Sequence, residues 1–298
     1  MKYCFLILNY KTYEETVNCI RSIENIFGKN STDDFNVVVV DNHSQDGSVE
    51  NLKALYYEKN YRILEMEKNL GFSKANNIGY SFIRKNYSDV DFLFVCNSDI
   101  EFSQVDFAEK LISTYEENKF DILGPDIFAP TRVHKRHRGH QSPAYPWEYS
   151  AWYTKCNIIF QSLGFENTKY KVVKKIFMKC FLCIEVLLIK TLFKNWRLKF
   201  KSNTSVQGSC MIFSRNFINK EEYLFYPETN FYYEELILYL RVKKKKYISI
   251  YNPEMQVVHW QGRASEKRKA IEKNDQWQRN NLIESGKIYL DILRDMNG

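Results

Sequence analysis

The chain has 298 residues, 44% hydrophobic and 16% aromatic, enough for one large core or two small ones. No uncharged apolar run approaches the roughly 20 residues of a membrane span, and seven scattered cysteines form neither a disulfide framework nor a paired zinc motif. The net charge of +7 is uneven: residues 132 to 201 hold 15 Lys and Arg against 3 Asp and Glu, leaving the rest of the chain slightly acidic.

Tyr3 to Leu8 is a β-type run, read as a first strand and not as a signal peptide. Glu14 to Phe27 carries Val17, Ile20, Ile23 and Phe27 at helical spacing. Phe35 to Val40 is strand, Asn51 to Tyr57 helix, Tyr61 to Met66 a short strand, and Ser73 to Lys85 helix. Asp91 to Cys96 is a buried strand, Gln104 to Glu117 a helix, and Phe120 to Leu123 a short strand stopped by Gly124-Pro125. Strands alternating with helices predict a mostly parallel sheet covered on both faces, and runs such as VVVV fit burial on two sides. Cys4, Cys96 and Cys210 sit in such runs and read as reduced core residues of a cytosolic protein. Cys180 and Cys183 form a lone CxxC.

The stretch 132–153, RVHKRHRGHQSPAYPWEYSAWY, is basic and then aromatic. Wound as a helix, residues 169–201 put Lys171, Lys175, Lys179, Lys190, Lys194, Arg197 and Lys201 within one face of about 140°. That basic amphipathic pattern suits an anionic membrane surface, or one or two ordinary helices with lysines in water. The tail, Glu266 to Met296, reads as helix with Trp277, Leu282, Ile288, Tyr289 and Ile292 as packing residues.

Open parallel sheets bind ligands at the carboxyl ends of their strands. Asn9 and Tyr10, Asp41, and Asn97, Ser98 and Asp99 end three strands with polar groups. Taken singly, each also suits a loop or a helix cap. No glycine-rich dinucleotide fingerprint follows the first strand, and no P-loop is present.

Several of these stretches together resemble family-2 glycosyltransferases of the GT-A fold, which use nucleotide sugars. VVVVDNHSQDGSVE resembles the family's VDNxSxDGS stretch, and ILNYKTYEETVNCIRSI its opening strand and helix. NLGFSKANNIG and FVCNSDIEF are similar to the NxGfaxaxNxG element and the Asp-x-Asp strand, here in the Asn-x-Asp form of rhamnosyltransferase-like members. VQGSCMIFSR, FYYEELILYLR and YNPEMQVVHWQGRAS resemble the family's later elements. The matches run in order over residues 3–125 and 206–265; the stretch from 130 to 205 resembles nothing nameable.

The resemblance implies metal-dependent, inverting transfer of a sugar from a UDP or dTDP donor to a hydroxyl. It makes Asp99 and His259 ligands of Mg²⁺ or Mn²⁺, and Glu235 the base. Asn9, Tyr10, Asp41, Asn69, Gly71, Lys74, Asn77, Asn97 and Ser98 would line the nucleotide-sugar pocket, and Gly208, Glu234 and Trp260 the acceptor side. Asn97 replaces a carboxylate, Glu235 an aspartate, and Ile237 a second aspartate of the family pattern. The implied organisation is a catalytic domain over 1–265, interrupted by a basic insertion at 130–205, and a helical tail over 266–298. The expected acceptor is a saccharide or lipid-linked saccharide of bacterial surface polysaccharide synthesis. The expected location is the cytoplasm, with peripheral association at the inner face of the plasma membrane as an alternative. Nucleic acid ranks last as a partner, because strand-end acids repel a phosphate backbone. Two rivals remain: a nucleotidyltransferase, which lacks its phosphate loop here, and a non-catalytic nucleotide-sugar-binding protein.

Overall fold

A computed structural model describes residues 1–28, 34–56, 61–132, 139–162, 183, 187–188, 191–193, 195–260 and 275–297. The first half alternates as the sequence predicts: β1 (Lys2–Asn9), α1 (Tyr13–Phe27), β2 (Asp34–Asp41), α2 (Ser48–Leu55), β3 (Arg62–Glu65), α3 (Gly71–Asn86) and β4 (Phe92–Asn97). After β5 (Ile100–Glu101), α4 (Phe107–Asn118) and β6 (Ile122–Phe128) come α5 (Ala151–Ser162), β7 (Lys201–Ser202) and β8 (Cys210–Ser214). The chain closes with α6 (Arg215–Lys220), α7 (Glu234–Lys245), β9 (Ser249–His259) and α8 (Asp275–Asn297).

The strands form one sheet in the order β3-β2-β1-β4-β8-β6-β9-β5, with β7 pairing with β9. Strands β1, β2, β3, β4, β6 and β9 run one way and β5, β7 and β8 the other. The continuous apolar runs split by strand parity. Tyr3, Phe5, Ile7, Val37, Val39, Phe92 and Phe94 face α1, α2 and α4. Cys4, Leu6, Val38, Val40, Leu93 and Val95 face α3, α6 and α7. Both sets are buried because helices cover both faces.

Two expectations are corrected. The strand expected to stop before Gly124-Pro125 runs through it, because β9 pairs alongside β6 with a register shift between Pro125 and Asp126. A Cβ on Gly124 would lie 2.5 Å from the Val206 Cβ, so only glycine lets that segment pack here. The basic helix expected over 169–201 does not extend to its carboxyl end. Trp196–Leu198 is a 3₁₀ turn whose Arg197 carbonyl accepts from the Tyr251 hydroxyl at 2.6 Å, and Lys201 is on β7. Most of the stretch before it, with Cys180, lies outside the described residues, as does the 265/266 boundary. Among the described residues no helix is long and apolar enough to cross a membrane.

The tail helix α8 packs against α5 and α7. Tyr289 is fully buried, with Leu282, Ile288 and Ile292 beside it, and Trp277 meets Phe231 edge-on at 4.9 Å.

Candidate active site

Register sets the site. Asn9 pairs with Asp41 across β1 and β2, and Leu8 with Asn97 across β1 and β4, so these strand ends share one edge. Strand β8 runs antiparallel, which brings its beginning to that edge: the Asn97 amide donates to the Ser209 carbonyl at 2.9 Å. Strand β9 runs with β6 and delivers His259 there as well.

At the β2 end, Asp41 is only 1% exposed. Its carboxylate accepts from Asn9 Nδ2 at 2.6 Å, the Ser44 amide at 2.8 Å and the Ser44 hydroxyl at 2.5 Å. Asn9 Oδ1 in turn accepts from the Thr12 and Thr16 hydroxyls, both at 2.9 Å. Thr12 meets the Ser98 hydroxyl at 2.8 Å, tying β4 into the network. The loops carry left-handed residues at Lys11, His43 and Gln45, a strained backbone of the kind that collects at functional sites.

Asn69 and Gly71 belong to a second loop. Asn42 donates to Asn69 Oδ1 at 3.1 Å and to the Gly71 carbonyl at 3.0 Å. Gly71 has φ +77°, and a Cβ there would strike the Asn230 carbonyl at 2.5 Å, so glycine admits the contact between this loop and the approach to α7. Asn77 bonds to the backbone at Leu224 and Phe225. Its Nδ2 donates to the Phe225 carbonyl at 2.7 Å, and its Oδ1 accepts from the Leu224 and Phe225 amides. Lys74 is exposed on α3, and the Lys11 ammonium lies 5.4 Å from the Tyr10 ring centre.

A cavity of about 400 Å³ opens at the shared edge. Asn97, Gly208, Glu234 and Glu235 line it, with Gln141 and Arg197 from the insertion. Glu235 is in the first turn of α7, where a helix amino end favours the ionised form. Burial nevertheless pushes its carboxyl above the usual range. A Cβ on Gly208 would stand 3.8 Å from Glu235 Oε2, so the carboxylate faces bare backbone.

The preceding Tyr232 and Tyr233 have φ 73° and 66°, a conformation that costs bulky residues about 1–3 kcal/mol each. Helix α8 supports that turn: Tyr289 packs on Tyr233 at 5.5 Å, and Ser285 donates to the Phe231 carbonyl at 2.8 Å. The tail is thereby part of the site's frame.

Asp99 is 8% exposed and lies against His259, with Oδ1 to Nε2 at 3.1 Å. Gln141 Oε1 meets His259 Nδ1 at 2.8 Å and orients the ring. Two ligands about 2.1 Å from one octahedral ion, in adjacent positions, stand about 3.0 Å apart, so this pair fits a shared divalent cation. Among the described residues no third His, Cys, Asp or Glu joins them. Trp260 is 47% exposed, and its ring nitrogen donates to Glu101 at 2.5 Å. Sequence reasoning missed Gln141, Arg197, Ser44 and Thr12. The turn chemistry of HSQDGS could have singled out Ser44, whereas nothing local marks Gln141 or Arg197.

A sheet read at its strand ends, with an acid-bearing helix start facing them, defines a GT-A-type transferase fold. The chain matches Glycosyl transferase family 2 over residues 4–222 and belongs to that family. Glu235 and His259 lie beyond the matched residues. No curated protein matches the chain.

Solved structures similar to it include Staphylococcus aureus TarS residues 1–349, at 12% identity and TM-score 0.51, covering 97% of this chain and 71% of that one. The same TarS piece in complex with UDP gives 13% identity and TM-score 0.52, covering 95% and 70%. A further S. aureus TarS structure gives 12% identity and TM-score 0.50, covering 95% of this chain but only 42% of that one. The chain thus spans less than half of that longer TarS chain.

Proposed function

We propose that this protein transfers a sugar from a nucleoside-diphosphate donor to an acceptor hydroxyl with inversion, Glu235 serving as the base. The observation that carries this reading is that the Glu235 carboxyl, facing bare backbone at Gly208, lines the same cavity as the strand end at Asn97, and burial raises its pKa. A base with a raised pKa is matched to a hydroxyl proton near neutral pH. In an inverting displacement one carboxylate suffices. It takes the acceptor proton while the acceptor oxygen attacks the anomeric carbon and the nucleoside diphosphate departs.

Asp99 and His259 would hold Mg²⁺ or Mn²⁺, with Gln141 keeping the imidazole in place. The ion would neutralise charge developing on the diphosphate. The nucleotide would sit over the ends of β1 and β2, in a pocket shaped by Asn9, Tyr10, Asn69, Gly71 and Ser98. Asp41, bonded to Asn9 of β1 and to Ser44 of its own loop, would hold that pocket's shape. The acceptor would enter past Gly208 and Glu234.

UDP or dTDP is the favoured carrier, and rhamnose the sugar suggested by the Asn-x-Asp form; the TarS complex with UDP makes UDP the first to test. A saccharide on a lipid carrier in surface polysaccharide synthesis fits the insertion. There Trp152, Ile159, Leu192, Leu198 and Phe200 are exposed among the basic residues, a composition suited to an anionic membrane face.

The test is thermal stability against UDP, dTDP, GDP and CMP, each with and without Mn²⁺, for the wild type and Asp99→Asn. A nucleotide at a hundredfold excess over its Kd stabilises by about 2.7 kcal/mol. A metal-dependent shift with one nucleotide, lost in Asp99→Asn, is expected. No shift with any nucleotide in a folded sample would overturn the reading.

A further inference from the structure

Arg197 is held firmly by its neighbours. Its Nη1 donates to the His140 carbonyl, and its guanidinium lies over the Tyr145 ring at 4.9 Å. Tyr145 is itself stacked on Trp147 at 4.6 Å. The Arg197 Nε–H is buried and makes no hydrogen bond. Among the described residues no carboxylate oxygen stands within salt-bridge distance of its guanidinium. Burial lowers its pKa, yet a guanidinium keeps its charge near neutrality. The Glu148 and Asp126 carboxylates act on this charge from a distance, and the half-buried Arg197 lies on the wall of the same cavity as Asn97, Gly208 and Glu235.

The rest of the wall divides the chemistry. Glu234 and Glu235 start α7, where they suit hydroxyls. Glu148, on the insertion side, already accepts from the Tyr145 amide at 2.5 Å. Among the described residues lining the cavity, Arg197 alone is a Lys or Arg, and its planar fork of donors matches phosphate oxygens. Its neighbour His140 precedes Gln141, which touches His259, so the insertion ties this cation to the proposed metal pair through two consecutive residues.

We propose that Arg197 is a phosphate-binding residue of the transfer cavity, receiving a phosphate group of a substrate while Glu235 addresses the acceptor hydroxyl. The phosphate could belong to the donor's diphosphate or to a phosphorylated acceptor. The inference deepens the transferase reading and rests on it for the cavity's role.

The test is isothermal titration of wild type, Arg197→Gln and Arg197→Lys, with Mn²⁺ present. The probes are UDP and uridine for the donor side and sn-glycerol 1-phosphate, added to the UDP-saturated protein, for the acceptor side. A lost charge-assisted contact weakens binding about 10- to 100-fold. If UDP weakens that much in Arg197→Gln while uridine does not, the donor diphosphate is the source. If UDP is unchanged and glycerol phosphate binding is lost, the acceptor is. Arg197→Lys, which keeps the charge without the fork, should fall between, and carries the test if Arg197→Gln does not fold. Unchanged affinity for both phosphate probes in a folded variant, or no binding of either by the wild type, overturns the proposal. Failure of UDP to bind the wild type, with sn-glycerol 1-phosphate titrated alone still bound in an Arg197-dependent way, would remove the transferase reading and leave the anion site standing.

Discussion

Replacing Glu235 by glutamine keeps the side chain's shape and removes its ionisation. Removing a general base typically costs 10²- to 10⁴-fold in turnover, about 2.7 to 5.4 kcal/mol of barrier at 1.36 kcal/mol per tenfold. Stability should move the other way. Burial raises the folded-state pKa of Glu235 above its ordinary value, so the folded chain binds this proton more tightly than the unfolded chain. Stability therefore falls as pH rises from the unfolded pKa to the folded one, and the full penalty persists above it. Glu235→Gln escapes that penalty, and its melting temperature at neutral pH should equal or exceed that of the wild type. The advantage should vanish below the unfolded carboxylate pKa. Wild-type turnover should decline on acidification through the raised pKa. The assay is nucleoside diphosphate release from whichever donor the thermal-shift screen selects, with melting curves from pH 4 to 8. Turnover within tenfold of wild type, with donor binding intact, would refute the role. A melting temperature several degrees lower at neutral pH would refute the burial argument.

Glu221 tests the opposite sign. It is buried, which raises its pKa, but bonds from Lys245 and Tyr247 and the charges of Arg241 and Lys245 outweigh burial and lower it overall. Its stabilisation is present above the usual glutamate pKa and is lost as pH falls through the depressed folded value. Glu221→Gln should cost about 3 kcal/mol at neutral pH, with the deficit shrinking in acid, as read by urea titration. Asn77→Ala removes three hydrogen bonds to residues 224 and 225 and should cost about 3 kcal/mol. Nucleotide affinity should stay within about twofold if the remaining loops hold; a selective loss of affinity would return Asn77 to the pocket. Gly124→Ala drives a methyl into Val206 and should cost about 1–3 kcal/mol. The double variant with Val206→Ala should be more stable than Gly124→Ala alone, because the clash is what the pair shares.

The alternation of apolar runs with helical spacing was enough to place the first four strands and three helices, and hence a parallel half-sheet with Asp41 and Asn97 at one edge. That worked because burial on both faces leaves a continuous apolar signature in a short segment. The motif order was also enough to suggest the family. Tertiary structure decided the rest. Which end of β8 reaches the site depends on its direction in the sheet, and no local pattern encodes that. Asp41 and Asn77 look alike as polar residues in motif loops. Their partners, Ser44 and Asn9 for one and the backbone at Leu224 for the other, determine that both are engaged in holding loops. Arg197 looked like one more lysine-face residue of a helix. It became a distinct feature only when a 3₁₀ turn, the Tyr145 ring and a cavity wall came together around it. Charge and pattern are properties of a sequence, whereas what a charged group faces is a property of a three-dimensional neighbourhood.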